Sequence, residues 1–290
     1  MTAARIVTFV GLGAIGLPMA LHIHAAGYDI VGVNRGAARR EKAAAEGLRA
    51  EPAIDSAARA DTVVIMVATP EQFLDVTLGP GGLVEIMRPG ATIIVMSTVG
   101  PEPVTQVASA AAERGIHLLD VPVTGGTARA ITATLNLFAS GPGEVIEENA
   151  AVLETMGTII RCGDEVGMGQ SYKVVNQLLC SVHIAVAGEA LAFAQKLGLD
   201  PAAVFPAVAT GAGGSWMLSD RGPRMLQGID AEVTSTIGIF VKDSSLVCDI
   251  AEEIGFDAPI VRAARERYLA ARDAGLELRD DSAVIRTYLD

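Results

Sequence analysis

The sequence predicts an α/β protein: a doubly wound parallel sheet covered on both faces, followed by one long helix and an all-α C-terminal domain. Three observations carry that expectation. From Ile6 to about Asp164, short β-rich apolar runs alternate with helical patterns, and strands that are apolar along their length belong to parallel sheets buried on both faces. A glycine-rich turn, Gly11-Leu12-Gly13-Ala14-Ile15-Gly16, joins the first such run to the first helical pattern. Strand punctuation stops after the segment Gly163 to Gly169, and the rest reads as helix.

In order, the predicted strands are Ile6 to Val10, Asp29 to Val33, Thr62 to Val67, Thr92 to Met96, His117 to Val121, Asn136 to Ala139 and Thr158 to Arg161, each rich in β-branched or apolar residues. Amphipathic or alanine-rich stretches lie between them, among them Ile15 to Ala26, Ala37 to Ala45 and Val104 to Arg114. One uninterrupted helical pattern then runs from about Met168 to Leu197, roughly 45 Å at 1.5 Å per residue. Pro201 to Thr210, Trp216 to Leu226, Phe240 to Ile254 and Pro259 to Ala274 follow as helices separated by glycine or proline loops. At 290 residues the chain exceeds the usual single domain. The expected division is residues 1–165 and residues 166–290, the second including an interdomain helix at about 168–197, with the ligand in a cleft between the two.

A net charge of −12 and a pI near 4.8 oppose the attraction to polyanions that nucleic-acid or anionic-membrane binding requires. Mean hydropathy is +0.40, yet no window of about 18 residues lacks polar interruption, so no membrane span is expected. The start, MTAARIVTFVGLG, runs into a glycine loop without a small-residue cleavage site, and reads as a strand rather than a signal peptide. Cys162, Cys180 and Cys248 are widely spaced, with no histidine at ligand spacing. They read as buried thiols of a cytoplasmic protein, and no metal is implied.

The glycine turn follows a strand and opens a helix, the context of a Rossmann-type dinucleotide site. Gly11 permits the tight turn, Gly13 lets a pyrophosphate approach the backbone, Gly16 lets helix pack on strand, and the helix N-terminus offers free N–H groups. Leu12, Ala14 and Ile15 complete this loop. At the end of the second strand an acidic residue would accept the ribose hydroxyls and repel a 2′-phosphate. Here stand Asn34 and Arg35, with Arg39 and Arg40 following. Arginine can stack on adenine or pair with the phosphate, which predicts NADP as the preferred cofactor with NAD possible; a solvated helix face is the alternative. Val67-Ala68-Thr69-Pro70 and Met96-Ser97-Thr98-Val99 end two later strands, on the side where open α/β sheets bind ligands. Val67, Ala68, Thr69 and Thr98 are thus expected to border the cofactor.

Taken in order, GLGAIGLPMA, MSTV, DVPVTGGTARAITATLNLFASG, GMGQSYKVVNQ and IFVKD resemble the β-hydroxyacid dehydrogenase family, which includes 3-hydroxyisobutyrate dehydrogenases, tartronate semialdehyde reductases and threonate dehydrogenases. The resemblance covers almost the whole chain. It implies hydride transfer between a nicotinamide cofactor and a short hydroxy acid or the matching semialdehyde or keto acid, in a homodimer or homotetramer. It places the substrate carboxylate on Thr124, Gly125 and Gly126, where the family commonly has serine first and threonine keeps the hydroxyl. Paired glycines let backbone N–H groups converge on an anion; an ordinary strand-ending turn is the alternative.

The resemblance also makes Lys173 the proton donor and acceptor. Lysine is scarce, occurring only at Lys42, Lys173, Lys196 and Lys242, and one at the start of an apolar helix invites a role. Alcohol oxidation needs a group to take the hydroxyl proton as hydride leaves, and carbonyl reduction needs one to return it. Partial burial disfavours an ammonium's charge and suits it to that exchange. Asn176 and Gln177, at i+3 and i+4, share its helix face and can hydrogen-bond substrate oxygen; many relatives have asparagine where Gln177 stands. Lys242 resembles a lysine near the cofactor, with Phe240 beside it, although a surface pair with Asp243 is the alternative. Gly213-Gly214-Ser215-Trp216-Met217 and the ending Asp280-Asp281-Ser282-Ala283-Val284-Ile285 look most like the threonate dehydrogenase branch. Trp216 could wall the substrate pocket or be core. His22, His24, His117 and His183 match no site position. Imine reduction and non-catalytic nucleotide binding are the rival readings on this fold; the first usually replaces the lysine and lacks the carboxylate turn.

Overall fold

Valine, isoleucine and threonine dominate the strands, and alternate side chains leave each strand for opposite faces. The computed structural model describes residues 5–289 and divides into two units, one ending at Lys173 and the other beginning at Val174. That division falls inside the long helix rather than ahead of it.

The first unit runs β1 (Ile6–Val10), α1 (Gly16–Ala25), β2 (Asp29–Val33), α2 (Ala37–Ala45), β3 (Ala50–Glu51), β4 (Thr62–Ile65), α3 (Pro70–Leu78), α4 (Leu83–Ile86), β5 (Thr92–Val95) and α5 (Pro101–Glu113). It continues through β6 (His117–Asp120), β7 (Val123–Thr124), α6 (Gly126–Ile131), β8 (Leu135–Ser140), α7 (Gly143–Leu153) and β9 (Gly157–Gly163), and ends in the first turns of α8 (Met168–Lys196). The sheet order is β3-β2-β1-β4-β5-β6-β8-β7, with β9 on β8. Val7 lies opposite Ile30 of β2 and Thr62 of β4. Val7, Phe9, Val64 and Ile94 pack on one face with Leu12, Met19 and Ile23. Val10, Val63, Ile65, Ile93 and Val95 pack on the other with Phe73, Val104 and Val107. The apolar runs are continuous because both faces are covered.

The expected wholly parallel sheet is mixed. Strands β1 to β6 pair in parallel, but β8 runs antiparallel to β6 and β7 and takes β9 in parallel. A parallel return needs a connection of about a dozen residues or more. The segment from Gly125 to Thr134, with its short helix α6, falls below that, so the chain doubles back.

The second unit holds the rest of α8, then α9 (Pro201–Ala209), α10 (Trp216–Gln227), α11 (Ile237–Glu253), α12 (Pro259–Ala271) and a 3-10 segment at Asp281–Tyr288. Ile184, Leu191, Leu218, Met225, Ile237, Phe240 and Tyr268 form its main core. Helix α8 is long and apolar enough to cross a membrane by length and composition, but 56% of that window is buried inside the protein. That burial is the behaviour of a core helix.

Candidate active site

Backbone geometry shapes the glycine loop. Gly11 has φ +102° and a Cβ there would overlap the carbonyl oxygen of Met66, while one at Gly16 would overlap that of Gly11. Gly13 faces open space, with no atom within 4 Å of where a Cβ would stand, so bare backbone is presented there. Helix α1 has no side-chain cap. Leu17 and Met19 already donate to the carbonyl oxygens of Gly13 and Ile15 and Pro18 has no N–H, so an acceptor from outside would meet the loop N–H groups that lead into the helix rather than its first turn. Both features fit a pyrophosphate. Leu12 is fully buried and its N–H donates to Asn34 Oδ1 at 3.1 Å, so Asn34 braces the loop. Arg40 donates to the carbonyl oxygens of Asn34 (2.8 Å) and Arg35 (2.6 Å) and holds the turn after β2. Arg35 and Arg39 remain exposed.

The two later loops are joined to each other. Val67 N–H donates to Ser97 Oγ at 2.7 Å, Ala68 N–H to Gln72 Oε1 at 3.1 Å, and Thr69 caps α3 by accepting from Gln72 N–H. Thr98 is half-buried at the next position.

In the DVPVTGG segment, Thr124 pairs with Asn136 of β8. Gly125 and Gly126 have φ of +131° and +65°, a pair of left-handed values that side chains disfavour. A Cβ at Gly125 would meet Arg129 Cδ and Cβ at 2.6 and 2.7 Å. The aliphatic stem of Arg129, which no sequence pattern singles out, therefore lies across this turn.

Lys173 is 7% exposed, in the second turn of α8. The first turn is anchored by residues that lie within the quoted motifs but were given no role there. Asp120, fully buried at the end of β6, accepts through Oδ2 from the N–H groups of Gly167 (3.1 Å) and Gln170 (2.8 Å) and from Ser140 Oγ (3.2 Å). Burial pushes its carboxyl up to about 6 against the lowering effect of these bonds, with Gln170 first among them. Its place at the head of the DVPVTGG segment was the available signal.

In the second unit, Gln177 Nε2 donates to Asp243 Oδ2 at 2.5 Å and Lys242 Nζ to Asp243 Oδ1 at 2.6 Å. Asn176 Nδ2 donates to Gln177 Oε1 at 2.8 Å. The Lys242–Asp243 pair is therefore present, with Asp243 almost fully buried. Phe240 is buried in the core of the second unit and stacked on Tyr268, ring centroids 5.4 Å apart. Trp216 opens α10 and is 43% exposed, so it is not core; the Arg221 guanidinium lies 5.9 Å from its ring centroid.

Residues 6–167 match the family model of the NAD binding domain of 6-phosphogluconate dehydrogenase. Residues 167–288 match that described as NAD-binding of NADP-dependent 3-hydroxyisobutyrate dehydrogenase. The chain is 35% identical to the L-threonate dehydrogenase of Cupriavidus necator over 98% of this chain and 96% of that one. Among solved structures it is similar to a 3-hydroxyisobutyrate dehydrogenase from Salmonella typhimurium, with TM-score 0.91, 32% identity, and 97% and 99% of the two chains covered. It is similar also to the Mycobacterium tuberculosis 3-hydroxyisobutyrate dehydrogenase solved with L-serine, with TM-score 0.84, 29% identity, and 98% and 99% covered. A nucleotide-ready glycine loop, a paired-glycine turn and whole-length likeness to named dehydrogenases converge: the chain belongs to the β-hydroxyacid dehydrogenase family and is an NAD(P)-dependent oxidoreductase of small hydroxy acids.

Proposed function

We propose that the protein interconverts a short hydroxy acid, of the four-carbon sugar-acid class that includes threonate, and its oxidised form, with NADP preferred and Lys173 moving the proton. The observation that carries this is the grouping, within one unit, of bare backbone at Gly13, the left-handed pair Gly125-Gly126 and the buried Lys173. The nicotinamide, when bound, supplies the hydride acceptor or donor. The N–H groups and hydroxyl of Thr124 to Gly126 hold the substrate carboxylate. In oxidation the neutral Lys173 amine takes the hydroxyl proton; in reduction the ammonium returns it to the carbonyl oxygen. Asn176 and Gln177, hydrogen-bonded to each other and through Gln177 to Asp243, are the further residues this reading assigns to the substrate. The lysine and the turn together weigh against imine reduction.

Support for NADP comes from exposed Arg35 and Arg39 after β2, with Asn34 where an acid would repel a 2′-phosphate. The relative named in the second family model is NADP-dependent. Support for threonate comes from L-threonate dehydrogenases at 33–35% identity. Turnover of threonate, glycerate, 3-hydroxyisobutyrate, 3-hydroxypropionate and serine should be measured with both cofactors. We expect threonate to lead, and kcat/KM with NADP to exceed that with NAD by about tenfold or more, equivalent to about 1.4 kcal/mol. Equal efficiency, or a preference for NAD, overturns the cofactor reading; inactivity on every acid overturns the substrate reading.

The same reading extends to assembly and location. Val175, Leu179, Val186 and Phe193 are each at least half exposed on α8, within an arc of about 40° at 3.6 residues per turn. A second copy of the chain covers this stripe, so light scattering should return the mass of a dimer or tetramer, and the mass of one chain would remove the idea. Three free, buried cysteines support a reducing, cytoplasmic setting.

A further inference from the structure

We propose that Gln170 is a positioning residue for proton transfer, its buried amide fixing the helix turn that carries Lys173 against the strand end leading to the anion-binding turn. The inference rests on the role given to Lys173 above.

Gln170 is fully buried. Its Oε1 accepts from the N–H groups of Val99 (3.0 Å) and Gly100 (3.1 Å). Its Nε2 donates to the carbonyl oxygen of Ser97 (3.0 Å) and to Asp120 Oδ1 (2.8 Å). A primary amide has two donor hydrogens and an oxygen with two lone pairs, so every valence is used. Through this one side chain the loop after β5, the end of β6 and the start of α8 become a single hydrogen-bonded unit.

The backbone completes it. The N–H of Gln170 donates to Asp120 Oδ2, and that of Gly169 to Ser140 Oγ at 2.9 Å. The first N–H groups of a helix lack partners within it; here buried side chains of β6 and β8 take two of them. A Cβ at Gly169 would overlap the carbonyl oxygen of Phe138 and lie 2.8 Å from that of Asp120, so the helix start sits flush against both strands. Lys173 follows Gln170 by three residues, about 4.5 Å along the helix axis. Asp120 precedes Thr124 by four residues of extended chain. Neither Gln170 nor Asp120 needs to touch substrate, yet loosening their tie displaces the lysine relative to the carboxylate, and a misplacement of about 1 Å can slow a reaction about 100-fold.

Two variants test this. Gln170→Leu removes the amide; Gln170→Glu keeps the acceptors for Val99 and Gly100 but offers Asp120 a donor only while protonated. For Gln170→Leu we expect kcat to fall by about 100-fold and hydrogen exchange to quicken at residues 97–100 and 167–171. For Gln170→Glu we expect protection at Val99 and Gly100 to persist and kcat relative to the parent to fall as pH rises, because ionisation sets two carboxylates together. Should Gln170→Leu not fold, the Gln170→Glu profile decides. Unchanged kcat in the variants, or a Gln170→Glu ratio flat with pH, would overturn the proposal. Absence of turnover in the parent protein would instead overturn the proposed function, and the exchange rates would still show whether the tie exists.

Discussion

Lys173→Ala is expected to lower kcat by about 10²- to 10⁴-fold, the usual contribution of a positioned general acid or base, while calorimetry finds NADPH affinity unchanged. The glycine loop, the brace from Asn34 and the Val67–Ser97 bond all lie outside the lysine's helix. Losing one side chain in the second turn of α8 should leave that surface intact. Lys173→Arg separates proton transfer from charge. A guanidinium keeps the positive charge but does not give up its proton near neutral pH, so this variant should fail nearly as badly if Lys173 carries the proton. If it merely attracts the substrate anion, arginine should restore much of the rate. Retained turnover in Lys173→Ala would remove the proton-transfer role.

That lysine was legible because composition made it stand out: one of four, on an apolar helix, with Asn176 and Gln177 at helical spacing. What holds it was not. Gln170 and Asp120 are 50 residues apart, and Gln177 and Asp243 are 66 apart; no local pattern announces such pairs. The same limit applies to the sheet. Runs such as Val63 to Ile65 and Ile93 to Val95 declare burial on both faces, so β4 and β5 are readable. Burial carries no strand direction, so the reversal at β8 is not readable. The two-residue strands β3 and β7 are too short for any periodicity. The stacking of Phe240 on Tyr268 is likewise a pairing across 28 residues that no local pattern announces.

Arg221→Met is expected to destabilise the second unit by about 3–5 kcal/mol, the range found when one partner of a buried ion pair is removed. Arg221 is 6% exposed and Asp281 is fully buried. Its Nε donates to Asp281 Oδ1 at 3.1 Å, its Nη2 to Oδ2 at 2.9 Å, and its Nη1 to Asp220 Oδ2 at 2.5 Å. These carboxylates hold the guanidinium charged beyond its ordinary range, while burial lifts Asp281 to about 6 despite the lowering pull of Arg221. Alongside, Arg224 Nε donates to Asp280 Oδ1 at 3.0 Å, and Asp280 Oδ2 accepts from Thr234 N–H at 2.9 Å. The ending DDSAVI, whose likeness to threonate enzymes hinted at substrate, thus fastens the C-terminal segment to α10. The decisive comparison is the double variant Arg221→Met, Asp281→Leu. Replacing both charges leaves no unpaired ion in the core, so its thermal midpoint should recover much of what the single variant loses. If double and single variants melt alike, the loss comes from packing rather than from the stranded carboxylate. Because the Arg221 guanidinium also lies over the Trp216 ring, the single variant should shift the fluorescence of this one tryptophan below the melting transition.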